Sequence, residues 1–324
     1  MRVLFLGGTS FTGPYAVREL AEKGHDVTVF HRGESESELP VTVNHVHGDV
    51  SRWYEYIDEL GALDPDVVVD MLAYLPKDGR RVLAFKGVAR RGVVVSSADV
   101  YRAYGRLRGS EPGPLEPLPL TEDSPLREVV VDEGYDKVGV ERAATSDPDF
   151  PVTILRYPAV HGPGDSQHRL SGYVRRMDDD RPAIVLVETH ASWRWARGYA
   201  EDVGHALALV IESEQAARRI YNVAAPVAHS EAEWVRSIAD VVGWQGRIVT
   251  ARKEVLPESL RLDADFTQHY DVDSSRIRAD LGYAEVVDEQ TALERTVDWE
   301  RANPPAEFEL DYEAEDAALA ALEA

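Results

Sequence analysis

Two hydrophobic rhythms run through this chain, and their order predicts its first half. Arg2–Leu6 is a short apolar run of strand length, and the stretch from Gly13 to Lys23 carries apolar residues at helical spacing. Between them lies GGTSFTG (residues 7–13), and Gly24-His25 turns the chain into a second apolar run, Val27–Phe30. Strand, glycine-rich turn, helix and strand in this order form the unit that seats a dinucleotide pyrophosphate on the helix N-terminus. Gly7 permits the tight turn, and Gly13 lets the helix lie close to the strands. A turn without a ligand is the alternative.

The rhythm continues with strands at Val43–His47 and Val67–Asp70, a helix over Lys77–Ala89, and strands at Gly92–Ser96 and Val152–Leu155. This order predicts an α/β fold with a parallel, doubly wound sheet. Between Arg102 and Arg127 the text becomes rich in Pro and Gly without periodicity, and reads as a lid or oligomer-contact loop too polar and broken for the core. After about residue 160 the alternation loosens. The expected division is a dinucleotide-binding domain over 1–160, its sheet completed by later segments, a smaller C-terminal lobe over 161–310, and an acidic tail over 311–324. That tail reads as a surface helix or a frayed end.

Composition narrows the picture. The 324 residues are 44% hydrophobic, enough for one large core or two joined lobes. No apolar run is long enough to span a bilayer, and Met1 leads directly into a strand, so a cytoplasmic protein with no membrane partner is expected. Cysteine is absent, which removes disulfides and thiolate metal sites. A net charge of −23 argues against a nucleic-acid partner, whose affinity rests on Lys and Arg neutralising phosphates. His45 and His47 alternate on a strand and read as a surface or partly buried pair. With no HExxH and no carboxylate cluster at ligand spacing, no metal is expected.

Several phrases in order carry a family likeness: GGTSFTG, HGDVSR at 47–52, VVSSADVY at 94–101, KVGVE at 137–141, LRYPAVHGPGD at 155–165, RIYNVAAP at 219–226 and DSSRIRADLGY at 273–283. The chain resembles the extended short-chain dehydrogenase/reductase family, which contains nucleotide-sugar epimerases and dehydratases, from Arg2 to about Asn303. The resemblance implies a Rossmann sheet with a C-terminal substrate-binding lobe, an NAD(P) cofactor, and hydride chemistry on a hydroxyl or carbonyl of a small, sugar-derived substrate. It also implies a homodimer.

Carried onto this chain, the likeness assigns the cofactor to Gly7, Thr9, Ser10, Phe11, Thr12 and Gly13, with Ser10 where the family has its middle glycine. It adds Asp49 and Val50, the cleft-lining Met71, Leu72 and Ala73, and Tyr157, Pro158 and Val160 against the nicotinamide. The end of the second strand reads Phe30-His31-Arg32 without the acid of NAD-preferring members. Arg32 can pair with a 2′-phosphate, so NADP is expected in preference to NAD. Its alternative is a solvated loop residue, and for Asp49 a turn aspartate.

The catalytic set departs from the family. Ser97 matches the family's serine and Lys137 the lysine of its Tyr-x-x-x-Lys pair, but Glu133 occupies the tyrosine position. Tyr135 is two residues from Lys137, about 200° around a regular helix, so it serves only if the helix begins after it. Tyr101 is another donor near the substrate. Glu133 reads as a carboxylate base or as an ordinary i,i+4 ion pair with Lys137. His161, Arg194 and Arg197 are expected to face the substrate, the arginines as clamps for an anionic group or as one solvated face of a strand. The asparagine that nucleotide-sugar members offer after the sixth strand is missing. Retention of Ser97 and Lys137 favours an enzyme; loss of the motif tyrosine favours the alternative, a dinucleotide-binding sensor or scaffold.

Overall fold

A computed structural model describes residues 1–34, 39–306 and 309–323. Its strands are β1 (Arg2–Leu6), β2 (Asp26–His31), β3 (Asn44–His47), β4 (Val67–Asp70), β5 (Arg91–Ser97), β6 (Val152–Tyr157), β7 (Ala159–His161), β8 (Ala183–Val187), β9 (Arg197–Tyr199), β10 (Ile220–Asn222) and β11 (Arg247–Ala251). Seven of them form one sheet in the order β10-β6-β5-β4-β1-β2-β3, all paired in parallel. The strand order reverses between β1 and β4, which opens a crevice at the carboxyl ends of those strands, where doubly wound sheets bind ligands.

Both faces of the sheet are covered, so its central strands are apolar at successive positions rather than alternately. Val3, Phe5, Val29, Val69, Val93 and Val95 face the helices Gly13–Glu22 and Ala200–Glu212. Leu4, Leu6, Phe30, Val68, Val94 and Ile154 pack with Val82, Phe85, Val140 and Ala144 on the opposite side. A separate cluster joins β8 to the helices Ser171–Asp178, Glu231–Val242 and Glu289–Ala302 through Leu170, Ile184, Trp234, Val235, Leu293 and Val297. Among the described residues no helix is long and apolar enough to cross a membrane.

Two expectations need correction, and a third is narrowed. The helix expected over Lys77–Ala89 is two short pieces, Pro76–Gly79 and a 3₁₀ turn at Val82–Phe85. The first is confined by its packing on the helix Lys137–Ala144, where a Cβ on Gly79 would stand 2.4 Å from the Val140 carbonyl oxygen.

The stretch 102–127 is not a core-free loop. It opens with a helix, Arg102–Leu107, and Leu120, Glu122 and Arg127 are buried. The Leu120 amide donates to the Asp271 carbonyl and its own carbonyl accepts from the Asp273 amide, both at 2.8 Å. Glu122 accepts from the Asn222 amide at the end of β10. Polar residues are buried here because backbone partners meet them.

The tail is a docked helix rather than a frayed end. Tyr312–Glu323 holds Glu315 against Arg176 at 2.5 Å and buries Ala318 and Leu319.

Candidate active site

The glycine turn after β1 shapes the first half of the site. Gly7 and Gly8 adopt φ of +84° and +109°, and Phe11 is also left-handed at +54°. A Cβ on Gly13 would lie 2.5 Å from the Gly8 backbone, so only glycine lets the helix start against the turn. That helix has no side-chain cap and no acidic residue in its first turn. The Gly13 amide is taken by the Ser10 carbonyl at 3.2 Å and Pro14 has none, so what the turn offers an anion is the positive end of the helix dipole. Thr9, Thr12 and Gly13 are buried in this turn, while Ser10 is exposed.

Across the crevice Leu72 fills the space a Gly7 side chain would take, and Met71 stands beside Gly8. A buried pair fixes this wall: Asp70 and Arg81 meet at 3.3 Å, and Arg81 also donates to the Leu72 carbonyl at 3.2 Å. Burial lifts the Asp70 carboxyl to about 6, against the pull of Arg81. Tyr157 and Val160 are buried under the crevice, with Thr12 beside the Tyr157 hydroxyl. Pro158 is half-buried and stands against Gly198. The cradle thus fits a dinucleotide pyrophosphate.

Arg32 and Asp49 lie at the far end, both exposed. Arg32 pairs with Glu34 at 3.3 Å, and Asp49 caps the turn at Ser51 by accepting its amide at 2.8 Å. Val50 opens that turn, half-buried.

The second half of the site forms where β5 ends. Ser97 accepts from the Asp99 amide at 3.2 Å, and the Tyr135 hydroxyl donates to the Asp99 carboxylate at 3.1 Å. Lys137 is buried, its ammonium donating to the Ala73 carbonyl at 2.6 Å and the Val95 carbonyl at 3.2 Å. It also stands 4.8 Å from the Tyr74 ring centroid and 5.6 Å from that of Tyr135. Of three ammonium donors, these carbonyls take two.

Tyr135 and Lys137 do not face opposite ways, because no helix joins them. The helix begins at Lys137, capped by Asp136, whose side chain accepts from the Gly139 amide at 3.0 Å. Before it, residues 132–135 form a turn closed by the Tyr135 amide on the Asp132 carbonyl, and the Asp136 amide is held by the Tyr74 carbonyl.

Burial governs the proton affinities of this group. It lowers Lys137 to about 8, with Asp70 and Asp99 pulling the other way. Burial also raises Asp99, eased by hydrogen bonds from Ser97 and Tyr135. Tyr135 rises through burial first and then through the adjacent Asp99 charge. The phenol is therefore held protonated, with its proton aimed at a carboxylate. Asp99 is absent from the residues expected from the sequence; its signal there is an acid two positions beyond Ser97 in SSADV.

Other expected residues fall elsewhere. Tyr101 is fully buried, donating to Asn222 at 2.6 Å and accepting from Arg156 at 3.0 Å, so it belongs to the core and not to a substrate surface. Glu133 is exposed on the turn before the helix, which removes its i,i+4 relation to Lys137. Arg194 binds the Ala228 carbonyl at 2.8 Å and Glu233 at 3.2 Å. Arg197 is buried against Glu231 and lies over the Trp234 ring, 4.5 Å from its centroid. Both guanidiniums are thus already matched by carboxylates. His161 is buried between Tyr199 and Trp234, bordering a cavity shared with Trp195 and Arg197.

Comparison with known proteins gives consistent matches. The family model of the NAD dependent epimerase/dehydratase family matches residues 3–224. Among curated proteins, the chloroplast stem-loop binding protein of 41 kDa b from Arabidopsis thaliana is 24% identical over 236 residues, covering 68% of this chain. The match spans 58% of that protein, less than two thirds of its length. Among solved structures, the UDP-Glc/GlcNAc 4-epimerase of Campylobacter jejuni superposes with a TM-score of 0.71 at 16% identity, covering 93% of this chain and 99% of its own. The UDP-glucose 4-epimerase of Bifidobacterium longum, in complex with NAD+ and UDP, gives 0.68 at 17% identity over 94% and 99%. At such identities these structural likenesses concern the fold.

Proposed function

This chain belongs to the NAD-dependent epimerase/dehydratase family, and from that premise we propose that it binds NAD(P) in the Gly7–Gly13 crevice and performs hydride chemistry on a secondary alcohol of a small, sugar-derived substrate. The observation that carries the reading is the convergence of Ser97, Asp99, Tyr135 and Lys137 at the end of β5, beside the Met71–Ala73 wall. A nicotinamide held in this crevice would supply hydride acceptance and return for the carbon bearing the alcohol.

The chain's own groups handle the proton. Ser97 turns its hydroxyl proton from Asp99 to the substrate oxygen when substrate enters. As the C–H electron pair leaves, the alcohol proton passes to Tyr135, whose own proton moves to Asp99, and the reverse transfer follows on reduction. Tyr135 never needs to persist as a phenolate, which its surroundings oppose. Lys137 keeps a positive charge near the phenol and leaves one donor for the cofactor ribose.

The wild-type protein is expected to bind NAD(P) and to exchange hydride with a sugar-derived alcohol. Tyr135→Phe should lower kcat by about 100-fold or more with cofactor affinity kept, the range of an acid–base group. Unchanged turnover in Tyr135→Phe sinks the proton path; failure of the wild type to bind NAD, NADH, NADP or NADPH sinks the site. The stem-loop binding in the plant relative's name is not carried over, because a net charge of −23 repels a phosphate backbone.

A further inference from the structure

We propose that His31, His45 and His47 form a binding site for one divalent transition metal of the zinc, cobalt, nickel and copper class. The sequence separates His31 from the other two, which is why they read as an isolated surface pair. Pairing of β2 with β3 brings all three together. His31 stands in register with His47, and Val29 with His45. Partners in a parallel pair share a face, and side chains two apart on a strand share one too. All three imidazoles therefore project from one side of the sheet at its outer end.

Their geometry is that of a nearly closed ligand set. His31 Nε2 lies 2.8 Å from His45 Nδ1, and one ring nitrogen from each histidine lies within 4.8 Å of the others. Ligands at about 2.0–2.1 Å from a tetrahedral zinc stand roughly 3.3 Å apart, so small side-chain rotations complete the site. His31 is buried and anchors the group, while His45 and His47 are exposed and give a metal its entry path. Three imidazoles suit zinc, cobalt, nickel and copper and are poor ligands for magnesium or calcium, which take oxygen. Ligation through His31 Nε2 places the ring proton on Nδ1. Metal binding then replaces the 2.8 Å hydrogen bond between His31 Nε2 and His45 Nδ1, and it also displaces the Gly33 amide, which donates to His31 Nδ1 at 3.2 Å.

The site is separate from the Ser97 group. β5 and β2 are three strand spacings apart in the sheet, about 14 Å. A metal here therefore does not touch the reacting carbon, and the inference stands whether or not the hydride reading does.

The test uses the full chain, stripped with a chelator and titrated without nucleotide. Zinc binding is followed by calorimetry, and cobalt binding by visible absorbance, which distinguishes a low-coordinate nitrogen site from carboxylates in water. The expected result is one equivalent bound tightly, not displaced by millimolar magnesium, with the intense visible bands of tetrahedral cobalt. His45→Ala and His47→Ala should each weaken binding by at least about tenfold, and the double variant should abolish the stoichiometric step. His45 also hydrogen-bonds the buried His31, so each metal-free variant is melted first and binding is compared at a temperature where all of them are folded. Binding that magnesium displaces, or that the double variant keeps, would assign the metal to the acidic surface and overturn the proposal.

Discussion

Thr296 donates its hydroxyl proton to the Ala292 carbonyl at 2.7 Å, so in its 3.1 Å contact with His161 Nδ1 the imidazole must be the donor. Burial holds that ring neutral and lowers its pKa to about 3, with Arg197 and Arg169 adding to the effect. Unfolding returns His161 to its ordinary value near 6.5, so between about pH 6.5 and 3 the unfolded chain binds the extra proton and stability falls as pH falls. The wild type should lose about 1.4 kcal/mol more per pH unit than His161→Gln between about pH 6 and 4, read by urea denaturation at each pH. Parallel pH slopes for the two proteins would refute the assignment. At the far end of the cofactor crevice, Arg32→Ala should weaken NADP by about 1–2 kcal/mol more than NAD in calorimetry, as expected of a lost charge-assisted contact. Equal losses would return Arg32 to the solvated role that its pairing with Glu34 permits.

Elements decide whether those residues meet. The Pro76–Gly79 helix and the Lys137–Ala144 helix approach through backbone, and a Cβ on Gly79 would press on the Val140 carbonyl. Gly79→Ala should therefore cost about 1–3 kcal/mol and, by moving the helix that begins at Lys137, reduce turnover beyond the loss of folded protein. Gly61, in the helix Ile57–Ala62, has open space around it, so Gly61→Ala should stabilise by about 0.4–1 kcal/mol. The pair of melting curves checks both signs. The parallel sheet and glycine turn are legible in the sequence because their signals are local: apolar runs, a helix-opening glycine and a turn at Gly24. The relation of Tyr135 to Lys137 is harder to read, because the family spacing draws the helix back past its cap. Asp136 before KVGVE is the signal that it starts later. Asp99 and the histidine triad depend on strand register and on an irregular turn, which no periodicity encodes. Tyr101 escapes for a related reason: its partners, Asn222 and Arg156, are far away in sequence.

At the scale of the molecule, the sheet is not complete until the chain has passed residue 222. The face made by Val3, Phe5 and Val93 is covered by Val203, Leu207 and Val210, and Tyr221 on β10 joins the same cluster. A fragment of residues 1–160 would keep only the Gly13–Glu22 helix on that face and leave the rest of it bare, with β6 as an open edge that invites pairing with other chains. We expect the fragment to aggregate or to bind a hydrophobic dye, checked by light scattering and fluorescence; a cooperative, monomeric melt of 1–160 would count against this. The same arrangement sets a schedule during synthesis. Roughly sixty residues separate Tyr157 from Ile220, so at about 5–20 residues per second a nascent chain waits about 3–12 s between making β6 and receiving the strand that closes it. Through that interval the glycine turn and the Ser97 strand already exist on the ribosome, but half of their support is still to be translated.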